Sequence, residues 1–282
     1  MELTRSTHGP KGPKDLHLHV LASGSKGNCA VVEGPGGLIM IDNGLSRREA
    51  LARMDALGLD PEDVRALIVT HEHSDHVGGV PVWRRRFDVE LFASAGTPRA
   101  RAKTAELPFR EFDPGDELSI AGVRIKTFAT SHDVVNPVGL RFSTPGDDIG
   151  YVTDTGFLPA SALEALRGAR IIALESNHDV AMLRCGPYPR HLQDRIASDG
   201  GHLSNEQAAE AAPRLIGPGT EHLVAMHISQ ENNRPSLAVR ALAASLGAEL
   251  DDDLGSSATL RRTDGTALRI RPAGQNRPIS CW

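Results

Sequence analysis

An α+β sandwich of four layers, helix–sheet–sheet–helix with two mixed sheets packed face to face, is the architecture to expect from this sequence. Three observations point to it. Short apolar runs bounded by Gly, Pro and Asn turns recur in two blocks of the chain. Helical segments fall between and after those runs. Nothing in the 282 residues reads as a linker that would divide them. Residues 16–272 are therefore read as one domain, with a disordered N-terminal tail at 1–15 and a C-terminal tail at 273–282, both polar and without hydrophobic period.

Leu16–Ala22 alternates apolar and polar residues, as a half-buried strand does. The Gly-rich turn Ser23–Asn28 separates it from a second strand at Cys29–Glu33. Gly34-Pro35-Gly36-Gly37 turns the chain into the buried strand Leu38–Ile41, which ends at Asp42. A helix at Arg47–Leu57 stops at Gly58. Ala66–Thr70 is a short, strongly apolar strand that delivers the chain to His71. Further strands are expected at Glu90–Ala93, Val123–Thr130, Gly139–Ser143, Gly150–Thr153, Ile171–Glu175 and Leu223–Met226. Helices are expected at Ala160–Arg167, Asn205–Leu215 and Ser236–Leu246. Asp264-Gly265 reads as the turn of a late hairpin. His17 and His19 lie opposite Leu16, Leu18 and Val20 on the first strand, and are read as exposed-face residues.

Composition narrows the function classes. The chain is 40% apolar but only 4% aromatic, so its core must be largely aliphatic. A net charge of −5 and a pI near 6.2 carry no global signal for nucleic acid, so any such contact must be local. Cys29, Cys185 and Cys281 lie far apart without metal or disulfide spacing, which suits a reducing compartment. No apolar run approaches membrane-spanning length. A cytoplasmic protein without a membrane partner is the expectation; the oligomeric state is not legible.

The chemistry is concentrated in His71-Glu72-His73-Ser74-Asp75-His76. Residues two apart in an extended segment point the same way, so His71 and His73 form a pincer at the end of a buried strand. Asp75 and His76 are consecutive and need a turn or helix start to aim both inward, which Val77-Gly78-Gly79 can provide. Three more metal-binding side chains follow apolar strands: His132, Asp154 and His227. Imidazole and carboxylate donors suit Zn²⁺, and also Mn²⁺ or Fe²⁺.

On these residues the chain resembles the metallo-β-lactamase superfamily from about Leu16 to Ile270. Within it, the chain resembles the YycJ/WalJ-type branch of bacterial proteins, related to nucleases of the ribonuclease Z and ribonuclease J types. The resembling stretches are Leu21–Asn28, Ile41–Gly44, Thr70–Gly78, Ser131–Asp133, Thr153–Gly156, Leu174–Asp179, Gly201–Glu206 and His227–Asn233. The resemblance implies two divalent metal ions, Zn²⁺ or alternatively Mn²⁺. His71, His73 and His132 would hold one, and Asp75, His76 and His227 the other. Asp154 would bridge them, and Asp42 would orient a ligand imidazole from behind. It further implies a hydrolase acting on DNA or RNA ends through a metal-bridging hydroxide. The stretch between Asp154 and His227 leaves no room for a further inserted domain.

Asp75 and His202 are the candidate catalytic groups. His202 sits just before a helix that opens with the capping pattern Ser204-x-x-Gln207. Gly201-His202-Leu203-Ser204 resembles the segment that supplies ribonuclease Z-like enzymes with a histidine assisting phosphodiester cleavage, so His202 is expected to protonate the leaving alkoxide or bind phosphate. His178 either lines the cleft or hydrogen-bonds behind it. Asn28 either meets a phosphate or shapes its turn. Asn232 and Ser204 complete the candidate substrate contacts. Arg84–Arg86, Arg99/Arg101/Lys103 and Arg190/Arg195 are either a rim that steers a nucleic-acid backbone or solvated helix faces. The same metal ligands would also serve a small-molecule thioesterase or lactonase.

Overall fold

β1 (His17–Ala22), β2 (Cys29–Gly34), β3 (Gly37–Ile41), β4 (Val64–Val69), β5 (Glu90–Ser94) and β6 (Phe109–Phe112) lie side by side in chain order in the first sheet of the computed structural model, which describes residues 14–282. The first three strands form an antiparallel meander, and β3 to β6 run parallel. The second sheet takes β7 (Glu117–Ile120), β8 (Val123–Ala129), β9 (Val138–Ser143), β10 (Asp148–Val152), β11 (Ile171–Glu175) and β12 (His222–Met226), again in chain order. It is completed by β13 (Glu249–Leu250), β14 (Ala258–Arg261) and β15 (Ala267–Pro272), with β15 beside β12. β10, β11, β12 and β15 are mutually parallel. A last strand, β16 (Ile279–Cys281), returns to the first sheet along β1.

Helices cover the outer faces: α1 (Arg47–Ala56), α2 (Ser74–Val77) and α3 (Val80–Arg86) in the first half, then α4 (Ala160–Leu166), α5 (Val180–Cys185), α6 (Arg190–Ile196), α7 (Asn205–Leu215) and α8 (Pro235–Leu246). The strand sequences explain the layering. In β4, Ala66 and Ile68 face the other sheet and share a core cluster with Leu18 and Ile41 of their own sheet and Phe142, Tyr151 and Val224 of the second. Leu67 and Val69 face outward and pack with Met54, Val80 and Trp83 of the helices. Likewise Ala173 of β11 lies between the sheets, while Ile172 and Leu174 meet Ala162, Leu215 and Leu242 of α4, α7 and α8. A strand covered on both faces reads as a continuous apolar run rather than an alternation, as the sequences of β4 and β11 do.

The C-terminal segment corrects the expectation of a tail at 273–282. Ala273 and Cys281 are fully buried, β16 pairs with β1, and Gln275 donates to the Gly27 carbonyl at 2.8 Å. Three residues of alternation are too few to register as a period, and the partner strand lies at the other end of the chain. His19 is a second correction. Expected on an exposed face, it is fully buried beneath this returning segment. Of the expected N-terminal tail, residues 1–13 lie outside the described residues. Asp15 accepts from Thr144 Oγ1 at 2.6 Å, and Leu16 is buried.

Candidate metal centre

The parallel strands end on one edge of the sandwich, and the predicted ligands gather there. β4 runs into Thr70 and His71, and the single helical turn α2 then aims Asp75 and His76 inward, as the sequence required. This loop is clamped by backbone bonds: Asn28 N to Asp75 O at 2.7 Å and Asn43 N to His76 O at 2.8 Å. Gly44 lies so close that a Cβ there would stand 1.6 Å from the Asp75 carbonyl oxygen, so no larger residue fits without moving the ligand loop. Asp42, Asp154 and His227, each just past a strand, have φ of 55°, 54° and 52°. Only one other non-glycine among the described residues, Ala121, has positive φ. Backbone strain of this kind collects where side chains must be aimed.

His71, His73 and His132 present donor atoms within 4.8 Å of one another, as do Asp75, His76 and His227, and as do His71, His76 and Asp154. His132 Nε2 is 3.2 Å from His73 Nδ1, and His76 Nε2 is 3.3 Å from Asp154 Oδ2. His227 Nε2 stands 3.7 Å from Asp75 Oδ2. Ligands about 2.1 Å from a tetrahedral ion stand about 3.4 Å apart, so these spacings suit a cation between the donors. The buried Nε2 atoms of His71 and His227 have no hydrogen-bond partner. The far side of each ring is occupied instead. His76 Nδ1 lies 2.8 Å from Asp42 Oδ2, His132 Nδ1 lies 2.9 Å from the Gly201 carbonyl and His227 Nδ1 lies 3.1 Å from Glu175 Oε1. Such outer partners fix tautomers and leave Nε2 free to coordinate. Asp42 is itself held by Thr70, which donates from N and Oγ1 at 2.8 Å each.

The electrostatics divide the imidazoles. Burial, reinforced by His76, pushes His71 well below the usual range, and burial also lowers His73 and His132. Neutral rings are the form that binds metal. Burial opposes charge on His76 and His227 as well. There Asp154, with Asp42 and Asp75 around His76, prevails and raises His76 well above the usual range, and the same carboxylate with Asp75 and Glu175 lifts His227 to about 10. Burial would raise Asp154, but His227, His76 and His71 hold it well below an ordinary carboxyl.

A profile of the metallo-beta-lactamase superfamily matches residues 22–227, the span that holds all seven residues. The chain belongs to that superfamily. Exodeoxyribonuclease YycJ of Bacillus anthracis is 36% identical over 227 residues, covering 79% of this chain and 86% of that protein. Exodeoxyribonuclease WalJ of Streptococcus pneumoniae is 36% identical over 225 residues, covering 78% and 84%. Ribonucleases J and Z are more distant, at 26% for Ribonuclease J 1 of Streptococcus pyogenes and 28% for Ribonuclease Z of Mycobacterium avium. Among solved structures, the metallo-beta-lactamase fold protein YhfI of Bacillus subtilis superposes with TM-score 0.68 at 12% identity, covering 95% of this chain and all of that one. Zn²⁺-bound PqqB of Methylobacterium extorquens gives 0.67 at 14%, covering 93% and 99%. The chain is a metal-dependent hydrolase of the superfamily, whose divalent ions its His and Asp clusters fit. No helix among the described residues is long and apolar enough to cross a membrane.

Glu175 is the functional residue that sequence reasoning missed. It ends the buried strand β11, and its Oε1 lies 2.7 Å from His202 Nδ1 and 3.1 Å from His227 Nδ1. Its Oε2 accepts from Thr155 N at 2.8 Å and Leu203 N at 3.2 Å. Burial would raise its pKa, but His202 and His227 bring it down to about 2. The available signal was a carboxylate closing an otherwise apolar run. A cleft of about 260 Å³ opens over the centre, lined by Ser25, His73, Ser74, Asp75, Asp154, Arg195, His202 and His227.

Three expected substrate contacts need correction. Ser204 is buried and accepts from Gln207 N at 3.1 Å in the capping box of α7. Asn28 is buried, with Nδ2 3.1 Å from Asp75 Oδ2 and Oδ1 accepting from Gly24 N, so its amide holds a ligand and a turn. Asn232 is buried away from the cleft beside Gly186 and α5. His178 is buried too, Nδ1 has no partner, and burial lowers its pKa to about 4. Of the basic clusters, Arg195 lines the cleft and pairs with Asp133 at 2.5 Å. Arg84, Arg86, Arg99 and Arg190 pair with surface acids.

Proposed function

We propose that this protein is a phosphodiesterase that degrades DNA from its ends. His71, His73 and His132 would hold one divalent ion, Asp75, His76 and His227 a second, and Asp154 both. An all-imidazole and carboxylate donor set without cysteine suits Zn²⁺ or Mn²⁺. Ions bound there would lower the pKa of the attacking water and stabilise charge on the phosphoryl oxygens.

The observation that carries the reading is the His202–Glu175 pair at the cleft wall. Glu175 takes Nδ1 of His202 at 2.7 Å, and the ring borders the same cleft as Asp154 and His227. With Nδ1 held, Nε2 is the atom left to give a proton to the departing alkoxide oxygen as the phosphorus–oxygen bond breaks. A thioester has less need of such a donor, since its leaving thiol is more acidic than an alcohol. The exodeoxyribonuclease names of the two relatives at 36% identity favour DNA over RNA.

The test is digestion of end-labelled single-stranded DNA, double-stranded DNA and RNA by Mn²⁺- or Zn²⁺-loaded protein. Release of terminal nucleotides from DNA is expected. His202→Ala should lower turnover by about 10²- to 10⁴-fold at unchanged metal content. Fully metallated protein that leaves DNA intact and cleaves thioesters or lactones would overturn the assignment.

A further inference from the structure

A second donor cluster stands at the start of β1, at the end of the strand away from the metal centre. His17 and His19 project from one face of β1, and Glu33 of β2 is paired in register with His17. Glu33 Oε2 lies 3.2 Å from His17 Nδ1 and 3.2 Å from His19 Nε2, and the three donor atoms fall within 4.8 Å of one another. The separations match the spacing of about 3.4 Å between ligands of a tetrahedral ion. Two neighbouring strands supply the donors, so their relative positions are fixed by the sheet and need no loop to order.

The surroundings are those of a ligand set. His19 is fully buried, and its other nitrogen, Nδ1, lies 2.8 Å from Ser280 Oγ. Without an ion, Nε2–H donates to the Glu33 carboxylate and Nδ1 accepts from the Ser280 hydroxyl. Because that hydroxyl can equally accept, it can take Nδ1–H when an ion draws on the Nε2 lone pair, the outer hydrogen bond that orients a metal-binding imidazole. The Trp282 ring meets His17 and His19 edge to face, with centroids at 4.7 and 5.2 Å. Ser280 lies in β16 opposite His19 and Trp282 follows that strand, so the C-terminal strand is closed over the cluster. The hydrolytic centre uses none of these residues.

We propose that His17, His19 and Glu33 form a separate metal site, for a Zn²⁺- or Ni²⁺-class ion, that pins the C-terminal strand to the first sheet. Two imidazoles and a carboxylate select borderline first-row ions over Mg²⁺ or Ca²⁺. An ion bound only by the folded chain stabilises it by mass action, and here the stabilised contact is the closure of β16.

Ni²⁺ titration of the metal-free full chain, followed by tryptophan fluorescence and by metal content after dialysis, tests the site. Trp282 touches the proposed ligands, whereas the other tryptophan, Trp83, is buried on the inner face of α3. Wild-type protein should bind one ion beyond those of the hydrolytic centre and lose Trp282 emission. Glu33→Gln, at a partly exposed position, should weaken that ion at least about tenfold, and His17→Ala should do the same. Asp154→Asn should leave the quenching intact, and Trp282→Phe should remove the quenching but keep the ion. Equal stoichiometry and quenching in wild type and Glu33→Gln would overturn the site, leaving a hydrogen-bonded His–Glu–His cluster. So would absence of the extra ion from wild type.

Discussion

β12 carries a histidine at each end, and the two ends of this one strand are opposite environments. His222 opens the strand and His227 follows its last residue, both buried. Burial, with Arg271, Arg170 and Arg269 around it, drives His222 down to about 4. Burial acts on His227 too, yet Asp154, Asp75 and Glu175 carry it up to about 10. Burial opposes charge on both rings, and more strongly on His227, so the neighbours decide which of them is charged. The carboxyl ends of the parallel strands gather acids and imidazoles, the edge on which open α/β sheets place their sites. The opposite ends gather arginines, including Arg170, whose Nη2 reaches Asp147 Oδ2 at 2.7 Å. Cavity size does not mark the functional end. The larger cavity, about 650 Å³ between Lys14, Asp147, Arg170 and Glu221, lies at the arginine end.

The comparison breaks first at Asp154. Asp154→Asn removes the charge that the imidazoles share, and should cost more than about 100-fold in metal affinity and abolish hydrolysis with it. Metal analysis and calorimetry read the first, and DNA digestion the second. Full metal content in this variant would mean that the acids of this edge do not hold the ion.

The opposite end is probed by pH. A histidine with folded pKa near 4 and unfolded pKa near 6.5 stays neutral in the fold while the unfolded chain takes up protons. Its contribution is therefore present above about pH 6.5 and lost as pH falls toward 4, at most about 3 kcal/mol. His222→Gln should flatten the denaturation midpoint across that window. Part of the slope should persist, because His178, also near 4, titrates there as well. An unchanged slope would show that the arginines do not exclude the proton.

Glu175→Gln sharpens the picture at the acid edge. It keeps the shape and removes the charge facing both His202 and His227, so metal affinity and turnover should each fall about 10- to 100-fold. A loss confined to turnover would show that Glu175 serves His202 alone. The smallest effect is expected at Ser204→Ala, about 1 kcal/mol of stability from the lost cap of α7. Its KM for DNA should be unchanged, and a raised KM would restore Ser204 as a substrate contact.

The seven candidate ligands were legible as a group because they follow apolar strands, and strand ends are where a chain can aim polar side chains without burying its backbone. Glu175 has the same position, but a lone carboxylate after β11 reads like any solvated strand end. It becomes functional only because β11 lies between β10 and β12, which bring Asp154 and His227 to either side. Asn28 and Ser204 were legible as polar groups in turns, and only the packed turns revealed that their hydrogen bonds are used internally.

Sequence alone determined the sandwich, the places of its main strands along the chain and the candidate metal-binding residues. Apolar periodicity reports which faces must be covered, and the His and Asp residues interrupt it at recognisable points. The tertiary structure decided what covers those faces and which charges meet. β16 returns across nearly the whole chain to bury His19, and the parallel pairing of β10, β11 and β12 sets acids at one end of His222–Met226 and arginines at the other. Burial and pairing between distant segments are properties of three-dimensional neighbours, and local pattern carries no record of them.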